Sequence, residues 1–279
     1  MMLAVKVTSV WNPTTTLGEG PLWSVDLGAL LWLDIKGCVG FRFTPSTDGR
    51  EAFALPEEVG AVALRRGGGL VAAARSGFAF LDLERGVLDP IADPEADLPG
   101  NRFNDGECDP AGSFFAGTMD DACVRPTGSL YRLAPDLSVE RVDSGYVVTN
   151  GPAFAPDGRR MVHTESVGRT IFAFDRDPTD GALSGRRVLR TLGPEEGLPD
   201  GMTFDAEGFL WCAHWAGGRL TRLAPDGSVE RVVPVPARDV TSCAFGGDEL
   251  DVLYITTAED GLFAADVGVT GLPPSEFGG

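Results

Sequence analysis

An all-β fold, a six-bladed β-propeller closed by its N-terminal strand, is predicted by three features of the sequence. These are short apolar runs, dense Gly and Pro punctuation, and a repeat of about 40 to 50 residues. The runs are rich in Val, Leu, Phe, Trp and Thr: Leu30-Leu-Trp-Leu-Asp34, Leu70-Val-Ala-Ala-Ala74, Phe78-Ala-Phe-Leu-Asp82, Ser113-Phe-Phe-Ala-Gly117 and Ser129-Leu-Tyr-Arg-Leu133. Each has the length of a strand, and 37 Gly and 20 Pro separate them. Long amphipathic helical patterns are hard to find.

The repeat is carried by a glycine that ends a turn before a fresh apolar strand, at Gly28, Gly69, Gly112, Gly158, Gly208 and Gly247, at intervals of 41, 43, 46, 50 and 39 residues. Comparable strands follow, such as Leu30-Leu-Trp-Leu, Met161-Val-His-Thr and Leu210-Trp-Cys-Ala. A third strand often comes next, as in Thr170-Ile-Phe-Ala-Phe-Asp175 and Arg219-Leu-Thr-Arg-Leu223. Six sheet-like units of this size match propeller blades. The last unit runs out of chain after its third strand, whereas residues 3–11 form an extra strand ahead of the first turn. Pairing the two closes the ring and removes two exposed sheet edges. No Pro/Ser/Gly linker interrupts the series, so a single domain over residues 1–279 is expected.

The 279 residues are 43% hydrophobic, ample to bury a core. No run of about 18 apolar residues suggests a membrane span, and the apolar part of Met1–Lys6 is too short for a signal peptide. A cytoplasmic protein without membrane partners is expected. The five cysteines, Cys38, Cys108, Cys123, Cys212 and Cys243, are scattered and odd in number. They read as reduced, buried thiols. A net charge of −18, with Lys6 and Lys36 as the only lysines, repels nucleic acid. The oligomeric state is left open.

Polar residues recur in phase with the turn glycines. Asn104, Asn150, Asp200 and Asp239 each stand eight residues ahead of one, and Glu19 stands nine ahead. In the second unit Gly60-Ala61 takes the place. The first strand of a propeller blade lies innermost, so residues in a shared phase converge at the mouth of the central channel. Glycine adjoins Glu19, Asn150 and Asp200 and follows Asn104-Asp105. Taken singly, Asn-Gly and Asp-Gly signal hairpin turns. Their shared phase is what the turn reading leaves unexplained. Two carboxylates and one amide oxygen make a hard-cation set, with no His or Cys to favour structural zinc.

Leu17-Gly-Glu-Gly-Pro-Leu-Trp23, Asn101-Arg-Phe-Asn-Asp-Gly106 with Phe115-Ala-Gly-Thr-Met119, Thr149-Asn-Gly-Pro152 with Pro156-Asp-Gly158, and Pro199-Asp-Gly201 with Gly208-Phe-Leu-Trp-Cys-Ala213 stand in order along nearly the whole chain. Together they resemble the gluconolactonase and senescence-marker-protein (regucalcin-like) family. The resemblance implies a six-bladed propeller with one divalent metal on its axis, held by Glu19, Asn150 and Asp200, and substrate contacts from Arg102 and Asn104. It also implies hydrolysis of a sugar lactone, with some members described as calcium-binding. Two departures are visible: Thr164-Glu165-Ser166 carries Glu where Asp is common, and the loop at Ala258-Glu-Asp-Gly261 is short.

The chemistry expected is hydrolysis of a small aldonolactone to its acid. A divalent cation (Ca, Mg, Mn, Zn or Fe) polarises the carbonyl, Asp200 serves as ligand and possible general base, and Arg102 and Asn104 donate to sugar hydroxyls and an oxyanion. The alternatives are a promiscuous ester or organophosphate hydrolase on the same scaffold and a non-catalytic calcium-binding propeller. His163 and His214 read as packing residues, and Asp120-Asp121 as a solvated acidic turn. Asp239 is expected to line the channel or hold a water beside the ligands. A serine-hydrolase G-x-S-x-G elbow, an H-E-x-x-H pair and a P-loop are all absent.

Overall fold

The computed structural model describes residues 5–279. Six four-stranded antiparallel sheets are formed. Five are simple meanders covering residues 18–54, 59–92, 101–146, 149–191 and 198–234, hereafter blades 1 to 5. Blade 6 takes three strands from residues 240–266 and its outermost from Val7–Trp11, which pairs with Leu262–Asp266 in the register Val7↔Ala265, Thr8↔Ala264. The ring is thus closed by the N-terminal strand. Leu3 and Ala4, which the sequence reading placed in that strand, lie outside the described residues.

All six turn glycines adopt positive φ, from 55° at Gly28 to 93° at Gly112. That conformation is open to glycine at little cost and explains why the residue recurs there. The second strand of each blade is covered on both faces by its neighbours. Ala29–Asp34, Leu70–Ala74 and Phe114–Asp120 are accordingly buried along their whole length, which gives continuous apolar runs instead of alternation. Outer strands such as Val139–Tyr146 mix exposed and half-buried positions.

After blade 6 the chain crosses the face where the inner strands end. Ala206 N donates to Thr270 O, Phe277 N to Leu64 O and Gly278 N to Gly112 O, so the C-terminal segment ties blade 5 to blades 2 and 3. Phe277 is fully buried among Phe78, Phe103 and Phe114. Among the described residues no helix is long and apolar enough to cross a membrane. All five cysteines are free; Cys108, Cys212 and Cys243 are buried as expected, but Cys38 is half-buried and Cys123 exposed.

Every innermost strand carries a register shift near its start. The shifts fall between Glu19 and Leu22, Val59 and Ala61, Phe103 and Asp105, Asn150 and Ala153, Pro199 and Met202, and Val240 and Ser242. A β-bulge inserts unpaired residues, bends the strand and re-aims a side chain. Gly60 sits in the bulge of blade 2, where an added Cβ would stand 2.6 Å from Phe103 O and 2.9 Å from Asn104 N. Both obstacles are backbone. Gly60→Ala is therefore expected to cost about 1–3 kcal/mol, measured as a lowered urea midpoint at unchanged m-value.

Candidate active site on the propeller axis

The bulges explain the shared phase of the polar residues. Asn-Gly and Asp-Gly here are not hairpin tips; they lie within strands, at Thr149–Phe154 and Leu198–Phe204. Glu19, Asn104, Asp105, Asn150 and Asp200 are all buried, at 3–9% exposure, which is low for residues of this polarity.

Hydrogen bonds tie the blades together at this level. Asn104 Nδ2 donates to Asn150 Oδ1 (2.9 Å) and to Thr149 O (2.7 Å), while Asn104 Oδ1 accepts from Arg102 Nη1 (2.8 Å). Both amide hydrogens of Asn104 are thus used within the protein. What Asn104 offers a substrate is the second lone pair of Oδ1, an acceptor where the sequence suggested a donor. Arg102 Nη1 also reaches Phe103 O (3.0 Å), and Nε reaches Asp121 Oδ1 (2.9 Å). No hydrogen-bond partner of Arg102 Nη2 is found among the described residues, so it remains a free donor.

Asp105 is the residue that sequence reasoning left without a role. Its Oδ2 accepts from Gly151 N of blade 4 (2.8 Å) and its Oδ1 from Gly106 N (2.7 Å). It stands one place beyond Asn104 in the same bulge, and that adjacency was the available signal. Asp121 also differs from expectation. It is not a merely solvated turn but binds Arg102, Lys36 Nζ (2.6 Å) and Arg75 (3.2 Å), and Glu58 bridges the same Lys36 and Arg75. Its neighbour Asp120 is buried against Arg125.

Asp239 does not share the ligand position. It lies just before the inner strand Val240–Gly246, where Oδ1 caps the turn at Ala216 N (3.0 Å). The bulge residue of blade 6 is Thr241, whose hydroxyl donates to Gly18 O (2.6 Å). The eight-residue offset of Asp239 reflects a different turn length. Glu165 accepts from the backbone N–H groups of Val147 and Val148.

The electrostatics are those of buried carboxylates short of positive charge. Burial pushes the Glu19, Asp105 and Asp200 carboxyls upward, Asp105 adds to the shift at Glu19, and Glu19 and Asp105 both add to that at Asp200. Arg102 offsets this only in part, because it is already paired with Asp121. A divalent ion would supply the missing positive charge. Among the described residues no three His, Cys, Asp or Glu form a metal cage by themselves. The donor set fits a hard cation only with the Asn150 amide oxygen and solvent included.

Neither of two cavities is lined by Glu19, Arg102, Asn104, Asn150 or Asp200. One of about 340 Å³ follows the axis from Asp105 past Glu107, Thr203 and Ser242 to the C-terminal segment at Leu272–Ser275. The larger, about 960 Å³, lies between blades 1 and 2 and is lined by Leu27, Leu70, Phe80 and Val87. It is set apart from the axial residues, and its Arg42 is occupied by Glu51 and Glu84.

The two histidines take no part in the site. Both ring nitrogens of His163 are buried without a partner, and the ring packs edge-on to Tyr146 at 4.9 Å. His214 Nδ1 meets Glu196 O (2.6 Å), while Nε2 is buried without a partner. Burial holds the His163 pKa down to about 3. A histidine with a depressed folded pKa contributes stability that is complete above its unfolded value, about 6.5, and is lost as pH falls toward the folded one. His163→Leu is expected to flatten the loss of stability between those limits by a few kcal/mol at most, read from urea midpoints across that range.

A six-bladed propeller with acidic and amide side chains gathered on its axis defines the class. Residues 17–259 match the model of the SMP-30/gluconolactonase/LRE-like region, and the chain belongs to that family. Regucalcin of Xenopus laevis is 36% identical over 300 residues, covering all of both chains. The calcium-binding protein regucalcin of Agrobacterium tumefaciens superposes with a TM-score of 0.92 at 26% identity over 96% of each chain. A gluconolactonase of Xanthomonas campestris shares the fold, with a TM-score of 0.81 at 24% identity, covering 94% of this chain and 89% of that one.

Proposed function

We propose that the chain is a metal-dependent lactonase acting as a single propeller domain, which opens a sugar lactone to its aldonic acid. The observation that supports this reading is that Glu19 and Asp105, from other blades, act electrostatically on the Asp200 carboxyl, while Asn150 is tied by hydrogen bonds to Asn104 and through it to Arg102, all of them buried. Glu19, Asn150 and Asp200 would hold one divalent cation, with Asp105 as a further carboxylate at the same point. The calcium-binding relative favours calcium; Mg, Mn, Zn and Fe are the other candidates. When bound, such an ion polarises the lactone carbonyl and acidifies a water.

The chain's own groups do the rest. Asp200 Oδ1 is pinned by Gly201 N (3.1 Å), leaving the other oxygen with lone pairs to take a proton from the attacking water. Arg102 Nη2 faces developing negative charge with a guanidinium that cannot lose its proton. Asn104 Oδ1 accepts from a sugar hydroxyl. Attack forms the new C–O bond, the ring C–O bond breaks, and the ring oxygen leaves as an alcohol. Aldonate forms with net release of a proton.

That proton is the readout. A pH-stat assay over a panel of aldonolactones, aryl esters and phosphotriesters, run on chelator-stripped protein with single ions restored, is expected to show hydrolysis of aldonolactones only with an ion present. Calorimetric ion binding without turnover of any lactone would replace the proposal with a calcium-binding propeller. Preferential turnover of esters or phosphotriesters would make the protein a promiscuous hydrolase.

A further inference from the structure

Ser166 follows the strand Arg160–Glu165 and has no role in the reading given so far, yet it is 5% exposed and fully hydrogen-bonded. Its Oγ accepts from Asn150 Nδ2 (2.9 Å) and donates to Pro199 O (2.7 Å). These bonds continue the series already described, from Arg102 through Asn104 to Asn150, and end on the residue preceding Asp200.

The series has only one polarity. A guanidinium cannot accept, and a proline carbonyl cannot donate. The Ser166 hydrogen must therefore go to Pro199 O, which leaves Oγ able only to accept from Asn150. The Asn150 amide nitrogen is committed to Ser166 and its oxygen to the Asn104 side. Turning the Asn150 carboxamide over would set its oxygen against a hydroxyl whose hydrogen is already spent, and its nitrogen against Asn104 Nδ2. Each contact would lose its donor or its acceptor, at side chains that are only 3–6% exposed.

We propose that Ser166 is a positioning residue that holds the Asn150 carboxamide with its oxygen, not its nitrogen, available to the cation, and that anchors the strand carrying Asp200 through Pro199. This rests on Asn150 being a ligand, as read above. Partners that orient a ligand in this way are worth roughly 10- to 100-fold in metal affinity.

The test is a calorimetric titration of chelator-stripped full-length protein with Mn²⁺ alone and with Ca²⁺ alone. Ser166→Ala is expected to weaken binding by about 10- to 100-fold, and Ser166→Thr, which keeps the hydroxyl, to recover most of the loss. Ser166→Cys, nearly isosteric but a poor donor, is expected to fall between them and serves where the alanine variant does not fold. A purely structural role would lower the melting temperature and leave affinity at the parent value. Parent affinity in Ser166→Ala or Ser166→Cys overturns the proposal. Asn150→Ala is the control: if it too binds like the parent, it is the ligand reading of Asn150 that fails.

Discussion

Asp200→Ala is expected to abolish both divalent-cation binding and lactone turnover. The residue stands 5% exposed in the bulge of blade 5, one oxygen pinned by Gly201 N and its carboxyl subject to the charges of Glu19 and Asp105. Alanine removes a ligand and the proton acceptor together. Asp200→Asn separates the two roles, since it keeps an oxygen for the cation but has little basicity. Measurable ion affinity with turnover reduced by about 10²- to 10⁴-fold identifies Asp200 as the general base. Turnover that recovers fully when the ion is raised to saturation leaves it a ligand only. Full lactonase activity in Asp200→Ala would remove the mechanism altogether.

Chelation is expected to turn the protein's stability against rising pH. In the ion-free chain the folded pKa values of Glu19, Asp105 and Asp200 lie above their ordinary values, raised first by burial and, at Glu19 and Asp200, further by neighbouring carboxylates. Groups shifted upward contribute stability that is complete below the unfolded carboxylate range, near about pH 4. That contribution is lost as pH rises through the folded values, because the unfolded state has already released protons that the folded state still holds. The ion-free melting temperature should therefore fall relative to the ion-saturated one as pH increases from that range toward neutrality. A saturating divalent ion is expected to abolish the fall and to add about 4 kcal/mol at a free concentration 1,000 times Kd. Differential scanning calorimetry with and without chelator across this range measures both effects. The buried histidines push stability the opposite way over the same range, so the readout is the gap between the ion-saturated and ion-free curves; a gap that does not widen as pH rises would show that the three carboxylates do not share one desolvated site.

How far the sequence could be read follows from which physical signals are local. The blades were legible because positive φ falls on glycine: Gly28, Gly69, Gly112, Gly158, Gly208 and Gly247 mark the same turn six times. Glu19, Asn150 and Asp200 were legible because each bulge lies at nearly the same distance from that turn. Asp239 shows the limit of that reasoning. Its offset is equal, but it stands ahead of the strand and caps a turn at Ala216 N, acting on Asp200 only through its charge. Asp105, Ser166 and Asp121 acquire their roles from partners 46, 33 and 19 residues away. Contacts at such separations leave no periodic trace in a single sequence. Asp121 looked like a solvated acid because the Lys36, Arg75 and Arg102 that surround it come from three different blades.

The bulges also make the axis a set of six sockets of which one cannot be filled. Glu19, Asn104, Asn150, Asp200 and Thr241 show that five accept a side chain. At Gly60 the first carbon of any side chain would collide with the blade 3 backbone at Phe103 and Asn104. The ring of donors is therefore permanently broken between Glu19 and the Arg102–Asn104 pair, whatever mutation brings elsewhere. Attempts to re-specify this protein for other ions or substrates have Thr241, whose hydroxyl is spent on Gly18 O, as the socket to refill, while the gap at blade 2 remains a fixed boundary condition of the fold.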